Sequence, residues 1–204
     1  ARPIALLNSL RFGPLDDSRN RRLFNGIISG ISWYGNCIGV PDVGGEIAFS
    51  ASYNGNPLVN ALCLGIARRE DLVFASASGE GNSIILIGAD TGRDGIHGAS
   101  GLASRSFEEE REMRPTVQVG NPFLEKVLIE ACLEIAGTDV LVGMQDLGAA
   151  GLTSSAVESA ARASHGLELD VAQIPRRESG MTPYDVMLSE SQERMLLVIK
   201  RGNE

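Results

Sequence analysis

Strand-like and helix-like patterns alternate along this chain of 204 residues and predict an α+β (mixed α/β) fold, a mixed sheet covered by helices. Two observations carry the expectation. Short apolar runs at 83–88, 140–144 and 193–199 are separated by helical stripes, and the loops between them are long and rich in glycine. Such loops fit a mixed sheet at least as well as a doubly wound parallel one. A polar, small-residue connection, Arg69-Glu-Asp71 followed by Ala75-Ser-Ala-Ser-Gly-Glu-Gly81, places a domain boundary near residue 72 and divides the chain into 1–72 and 73–204.

The chain opens on Ala1-Arg-Pro-Ile-Ala-Leu-Leu7, a strand or helix already in progress, which suggests a piece of a longer protein. Asp16, Asp17 and Ser18 put acid before a stripe of Leu23, Ile27, Ile28 and Ile31, the spacing of an amphipathic helix. Glycines and a proline at 34–46 are expected to break it, and 57–68 reads as a buried strand. After the boundary, 83–88 is a β-branched strand that runs into the glycine-rich loop 88–98. The charge run at 106–114 reads as a solvated face. Asn121 and Pro122 then supply an N-cap and a first-turn proline for a helix carrying Phe123, Leu124, Val127, Leu128, Ala131, Cys132 and Ile135, closed by Gly137. A strand at 140–144, a helix at 153–163, a strand at 167–171, a helical turn from Thr182-Pro183 and a final strand at 193–199 complete the reading.

Composition narrows the function. A formal charge of -8 argues against a nucleic-acid partner, whose phosphates require a basic face. An acidic chain must hold a phosphorylated ligand through local amides, a cation or a few arginines. Lys126 and Lys200 are the only lysines among 18 basic residues, so the basic set is nearly all arginine; this suits bidentate phosphate recognition and equally reflects genomic base composition. No apolar run reaches the ~18 residues of a membrane span and no secretory n-region opens the chain, so a cytoplasmic protein without a membrane partner is expected. Cys37, Cys63 and Cys132 are too widely spaced for a disulfide framework or zinc site and read as buried free thiols.

The densest chemistry lies in Val142-Gly-Met-Gln-Asp-Leu-Gly-Ala-Ala-Gly-Leu-Thr-Ser-Ser155. A strand that delivers Asp146 to its end, then small residues and the hydroxyls of Thr153, Ser154 and Ser155 at a helix start, would set a magnesium-type carboxylate beside amides suited to phosphate. A turn-capping Asp146 is the alternative. Residues 91–100 offer Arg93, Asp94 and His97 as a phosphate or nucleotide loop, without triad spacing; His97 fits a ligand contact or a loop-ordering hydrogen bond. Gln118 lies between two valines before the helix, and Glu190-Ser-Gln-Glu-Arg194 packs acid, hydroxyl, amide and guanidinium beside an apolar strand. On chemistry alone, both read equally as recognition or as exposed loop.

Taken together, Tyr34-Gly-Asn-Cys-Ile-Gly-Val-Pro41, Val43-Gly-Gly-Glu46, Thr91-Gly-Arg-Asp-Gly-Ile-His-Gly-Ala-Ser100, Val117-Gln-Val-Gly120, Gln145-Asp-Leu-Gly-Ala-Ala-Gly-Leu-Thr-Ser-Ser155 and Met187-Leu-Ser-Glu-Ser-Gln-Glu-Arg-Met195 closely resemble the synthetase subunit of the phosphoribosylformylglycinamidine synthases, across essentially the whole chain. The resemblance implies an ATP-dependent ligase of purine biosynthesis. It phosphorylates the amide oxygen of formylglycinamide ribonucleotide, and ammonia from a glutaminase subunit displaces the phosphate; a small accessory subunit belongs to the same complex. Residues 1–72 would be the end of a first N-terminal α/β domain, and 73–204 a C-terminal domain like that of aminoimidazole ribonucleotide synthetase. Carried over by motif, Gln118, Glu190, Ser191 and Gln192 contact substrate and Asp146 binds Mg2+.

The family's Glu-Ser-His-Asn-His segment, which supplies its proposed catalytic histidine, matches nothing here, and neither His97 nor His165 has its flanking residues. The chain alone is therefore expected to be inactive, with no catalytic residue of its own, and to self-associate through former interfaces. Competing readings are a non-catalytic interface module, or another enzyme of the superfamily such as aminoimidazole ribonucleotide synthetase or selenophosphate synthetase. The pairing of Glu190-Ser-Gln192 with Gln145-Asp-Leu-Gly148 disfavours the second.

Overall fold

The computed structural model describes residues 1–96 and 118–204, so His97, the 106–114 charge run and the second half of the 91–100 loop lie outside the described residues. Its contacts cluster into two compact units, Ala1–Leu72 and Val73–Glu204.

In the first unit, β1 (Arg2–Phe12) is the centre of a three-stranded sheet, parallel to β2 (Asp42–Phe49) and antiparallel to β3 (Leu58–Ile66). Helix α1 (Ser18–Ile38) makes the crossover from β1 to β2. Asp17 caps its start by accepting from the Arg19 N–H at 2.6 Å, and Gly39 ends it in the left-handed conformation, φ 73°. Phe12, fully buried, anchors the helix to the sheet, its ring 5.0 Å from that of Phe24 and 6.3 Å from that of Phe49. Beside them, the buried Asn20 amide donates to Pro14 O and Asn54 Oδ1 while its oxygen accepts from Gly55 N–H, so no polar atom is stranded.

The structure sharpens or corrects several expectations. The helix does end inside 34–46, but only at Ile38, with Gly39 as its cap: Tyr34 and Gly35 stay helical, and Gly35 serves close packing, its missing Cβ lying 3.1 Å from Val40 O and 3.6 Å from Leu6. The residues beyond form β2, where Gly45 (φ 141°) leaves room for the Asn8 carbonyl. Residues 57–68 do contain a strand, but β3 is exposed along its whole length. On the sheet face away from α1, Leu62 and Leu64 are 54% and 49% exposed, and no second layer among the described residues of this unit covers them. The cysteines are free as expected, yet Cys37 and Cys63 are exposed and Cys132 only half-buried.

The second unit is built on β4 (Ser83–Gly88), β5 (Leu141–Asp146) and β6 (Arg194–Ile199) in the order β4-β6-β5, with both described pairings antiparallel. Helices α2 (Pro122–Ala136), α3 (Gly151–Ala163) and the short α4 (Pro183–Leu188) complete it. The central strand is buried on both faces, Leu196, Leu197, Val198 and Ile199 each being at most 3% exposed. Leu147, Leu152 and Leu196 form the core, packed by Ile84, Leu86, Leu169, Ile174 and Met187. Burying a side chain of this size contributes roughly 1.5–3 kcal/mol.

Asn121 caps α2 through the Leu124 N–H at 3.1 Å, but Phe123 and Val127 on the stripe stay exposed, so its apolar face is wider than this unit covers. No strand forms at 167–171. Leu169 and Ile174 instead enter the core around a 3-10 turn, Val171–Gln173, whose start Asp170 caps by accepting from the Ala172 N–H at 3.1 Å.

Candidate functional site

Gln118, Glu190, Ser191 and Gln192 gather around the loop that leaves β4. At its root, Thr91 is fully buried and bridges in parallel to Arg176. Gly95 follows in the left-handed conformation, φ 62°, where a Cβ would lie 2.7 Å from Glu190 Cβ and 2.9 Å from Gln118 Nε2. Only glycine lets the loop pass this close to those two side chains.

Gln118 and Glu190, 72 positions apart in the sequence, meet directly: the Gln118 amide donates to Glu190 Oε2 at 2.9 Å. The other carboxylate oxygen, Oε1, accepts from Ala150 N–H at 3.0 Å. Ala150 is the N-cap of α3 at φ 60°, so Glu190 brings negative charge to a helix N-terminus, where it is favoured. Gln192 turns its amide back onto Glu190 O at 2.9 Å. Ser191 is buried, accepting from Gly92 N–H at 2.9 Å and donating to the Asp94 carboxylate. One network thus joins Gln118, Glu190, Ser191, Gln192 and Asp94.

Arg93 and Asp94 are spent on this architecture, not on open space. Arg93 donates to Gly180 O at 2.6 Å and pairs with Glu178 at 3.2 Å and Asp185 at 3.5 Å. Asp94 takes both its carboxylate oxygens to Arg177, at 2.8 and 2.9 Å. As placed, the two order the loop; neither presents a free group to phosphate.

The start of α3 also differs from the sequence reading. Thr153 donates to Met187 O at 2.9 Å, Ser155 to Gly151 O at 3.0 Å, and Ser154 to the Ala149 and Gly151 carbonyls. Their hydroxyls are satisfied by backbone, and Ala150 N–H is satisfied by Glu190. Small residues in this turn answer to packing: a Cβ on Gly151 would lie 1.8 Å from Ser189 O.

Asp146 stands exposed at the end of β5, one oxygen accepting from Gln145 Nε2 at 3.1 Å. No group of three or more His, Cys, Asp or Glu able to hold a metal is present among the described residues. Magnesium, however, keeps several waters and uses one or two carboxylates plus phosphate oxygens, so an accessible Asp146 fits as one ligand of such a site. A separate cleft of about 840 Å³ lies over Ile84, Leu86, Leu196 and Val198, with Gly79, Glu80 and 165–170 at its rim. None of the proposed site residues lines it.

Sequence reasoning missed Arg177 and the full role of Arg194. The Arg194 guanidinium is buried and donates to Ser191 O at 2.8 Å, Ser189 O at 2.7 Å and Thr91 Oγ1 at 2.9 Å. Burial pushes its pKa down to about 10, opposed by the nearby Asp94 carboxylate, so it is charged at neutral pH. The signal available was an arginine opening the otherwise apolar run Met195-Leu-Leu-Val-Ile199.

Residues 79–204 match the AIR synthase related protein C-terminal domain, and residues 1–67 match the corresponding N-terminal domain. The chain belongs to the AIR synthase related proteins. Within that family it is 61% identical over its whole length to phosphoribosylformylglycinamidine synthase subunit PurL of Moorella thermoacetica, and spans 28% of that relative. Among solved structures, it is similar to Thermotoga maritima PurL complexed with FGAR, with a TM-score of 0.87 and 44% identity, covering 98% of this chain and 32% of the other. The ATP complex of T. maritima PurL matches at TM-score 0.81 and 41% identity, over 98% and 30% of the two chains. The structure of PurLQS from T. maritima matches at TM-score 0.80 and 41% identity, over the same shares. As a member of the AIR synthase related proteins, the chain thus spans about a third or less of the relatives it matches. No helix of the described residues is long and apolar enough to cross a membrane.

Proposed function

We propose that this chain supplies one wall of the substrate site of an ATP-dependent ligase that converts formylglycinamide ribonucleotide, ATP and glutamine-derived ammonia to formylglycinamidine ribonucleotide, ADP and phosphate. In this reading, 1–72 is the C-terminal part of the first N-terminal-type synthetase domain and 73–204 the first C-terminal-type domain. The observation that carries it is the Gln118–Glu190 hydrogen bond, which unites two motifs distant in sequence beside the loop that bears Ser191 and Gln192. Likeness to a PurL complexed with FGAR supports that ligand, and likeness to an ATP complex supports the nucleotide. A glutaminase subunit and a small subunit are the proposed partners, in keeping with the PurLQS match. We place the enzyme in the cytoplasm.

Gln118, Glu190 and Asp146 have distinct parts. Gln118 gives its N–H to Glu190, which leaves its carbonyl oxygen as the group offered to a ligand N–H. Glu190 fixes that polarity while anchoring the start of α3. Asp146 would be one ligand of a Mg2+ ion, which would offset the charge of the nucleotide phosphates. The general acid-base work is assigned to groups outside this chain. The uncovered leucines of β3 and the exposed Phe123 and Val127 support a further role in domain interfaces, and with it self-association of the isolated chain.

Titration calorimetry of formylglycinamide ribonucleotide, with and without Mg2+, into the synthetase that carries this segment tests the reading. Metal-dependent binding that Asp146→Ala weakens is the expected result. Metal-dependent binding that survives Asp146→Ala unchanged removes Asp146 from the metal site.

A further inference from the structure

We infer that Arg194 is a positioning residue for substrate recognition: its buried guanidinium grips Ser189 O, Ser191 O and Thr91 Oγ1 and so fixes the backbone from which Glu190 and Gln192 extend. The inference rests on the proposed substrate role of Glu190 to Gln192. Three donors of one planar fork reach three acceptors on two separate loops, a task that a lysine ammonium on a flexible stem does not reproduce. The grip encloses the loop on both sides. Ser189 and Ser191 flank Glu190, and Ser189 Oγ also donates to Gly92 O at 2.6 Å.

A second layer locks the same loop to the first. Glu190 N–H donates to Asp94 O at 2.8 Å, and the Asp94 carboxylate receives the Ser191 hydroxyl and the Arg177 guanidinium. The turn that follows is held in a conformation rare for a side-chain-bearing residue: Glu193 has φ 55°, and its carboxylate accepts from Asn121 N–H at 2.9 Å, at the cap of α2. On its other side Glu193 O receives Ala89 N–H at 2.9 Å, an approach that a Cβ on Gly88 would block at 2.0 Å. The loop therefore has a single well-determined path, set from β4 on one side and α2 on the other. Arg194 lies at its centre, touching no ligand-facing atom itself.

Steady-state kinetics of the whole synthetase carrying Arg194→Lys and, separately, Thr91→Val tests this. Glu190→Ala serves as the reference for the underlying reading. The expected result is a KM for formylglycinamide ribonucleotide raised about tenfold or more in Arg194→Lys and several-fold in Thr91→Val, because a displaced contact loop weakens binding without removing groups. KM for ATP should stay within about twofold of wild type. A merely structural role would instead lower kcat through loss of folded enzyme and move neither KM. If Arg194→Lys does not fold, Thr91→Val, which deletes one hydroxyl and keeps the shape, decides alone. A substrate KM unchanged in the folded variants, with Glu190→Ala raising it, overturns the positioning role. A substrate KM unchanged in Glu190→Ala overturns the proposed function itself.

Discussion

Gly95→Ala probes the tightest point of the site. The added Cβ would sit 2.7 Å from Glu190 Cβ, which cannot swing aside like the end of a flexible side chain, and 2.9 Å from Gln118 Nε2, which can. At φ 62°, alanine costs roughly 1–2 kcal/mol for the left-handed backbone. Overpacking against Glu190 adds roughly 1–3 kcal/mol. The sum, roughly 2–5 kcal/mol, is a large part of a typical domain stability of about 5–15 kcal/mol, and for a chain of this size it lowers Tm by roughly 4–20 °C. Gly26→Ala is the control: it sits inside α1 with nothing within 4 Å of its Cβ, and there alanine should stabilise by about 0.5–1 kcal/mol. Thermal melts of the isolated chain followed by circular dichroism read both. A Gly95→Ala variant that melts with wild type would refute the close approach of the 91–96 loop to Glu190 and Gln118.

Glu125 offers a pH-dependent test. Its partial burial, with the Glu193 carboxylate nearby, raises its pKa above 4.5, so the charged form is a burden on the folded state. That burden is complete above the raised folded value and disappears as pH falls below the unfolded one, so Glu125→Gln should raise Tm at pH 7 and lose the advantage near pH 4. An equal gain at both pH values would contradict the assignment. Static light scattering of the isolated chain should show mass growing with concentration, and Leu62→Lys with Leu64→Lys on the uncovered face of β3 should reduce it; a clean monomer at high concentration would contradict the interface reading.

The fold was legible where local chemistry acts alone. Asp17 and Asn121 cap helices because their side chains meet their own first-turn N–H groups, and that is written in the neighbouring residues. Strand β4 was visible in its β-branched run, and β6 in its apolar one. The misreadings share one cause, since they depend on what lies across space. Gly35 looks like a helix breaker until Leu6 of β1 is seen beside it, 167–171 looks like a strand until no described strand pairs with it, and β3 looks buried until no described layer of its unit covers it.

The candidate site divides in the same way. Residue types marked Gln118 and Glu190 as unusual, but their hydrogen bond spans 72 positions and nothing local announces it. Thr153 and Ser155 suggested phosphate, and the structure shows them bonded to helix carbonyls and Met187 O, as hydroxyls at helix starts often are. Arg93 and Asp94 suggested a ligand loop, yet Arg93 is held by Glu178, Gly180 and Asp185 and Asp94 by Arg177 and Ser191, partnerships more than 80 positions away in sequence that nothing local announces. Charge in a glycine-rich loop is thus used here first to fix the loop.

The proposed function depends on Gln118 and Glu190 forming a substrate-facing pair. Titration of formylglycinamide ribonucleotide into the synthetase carrying Glu190→Ala tests it most directly, with wild type alongside. Affinity weakened by about tenfold or more is the expected result, each ~1.4 kcal/mol of lost interaction being a factor of ten. A folded Glu190→Ala variant that binds the ribonucleotide as tightly as wild type would contradict it.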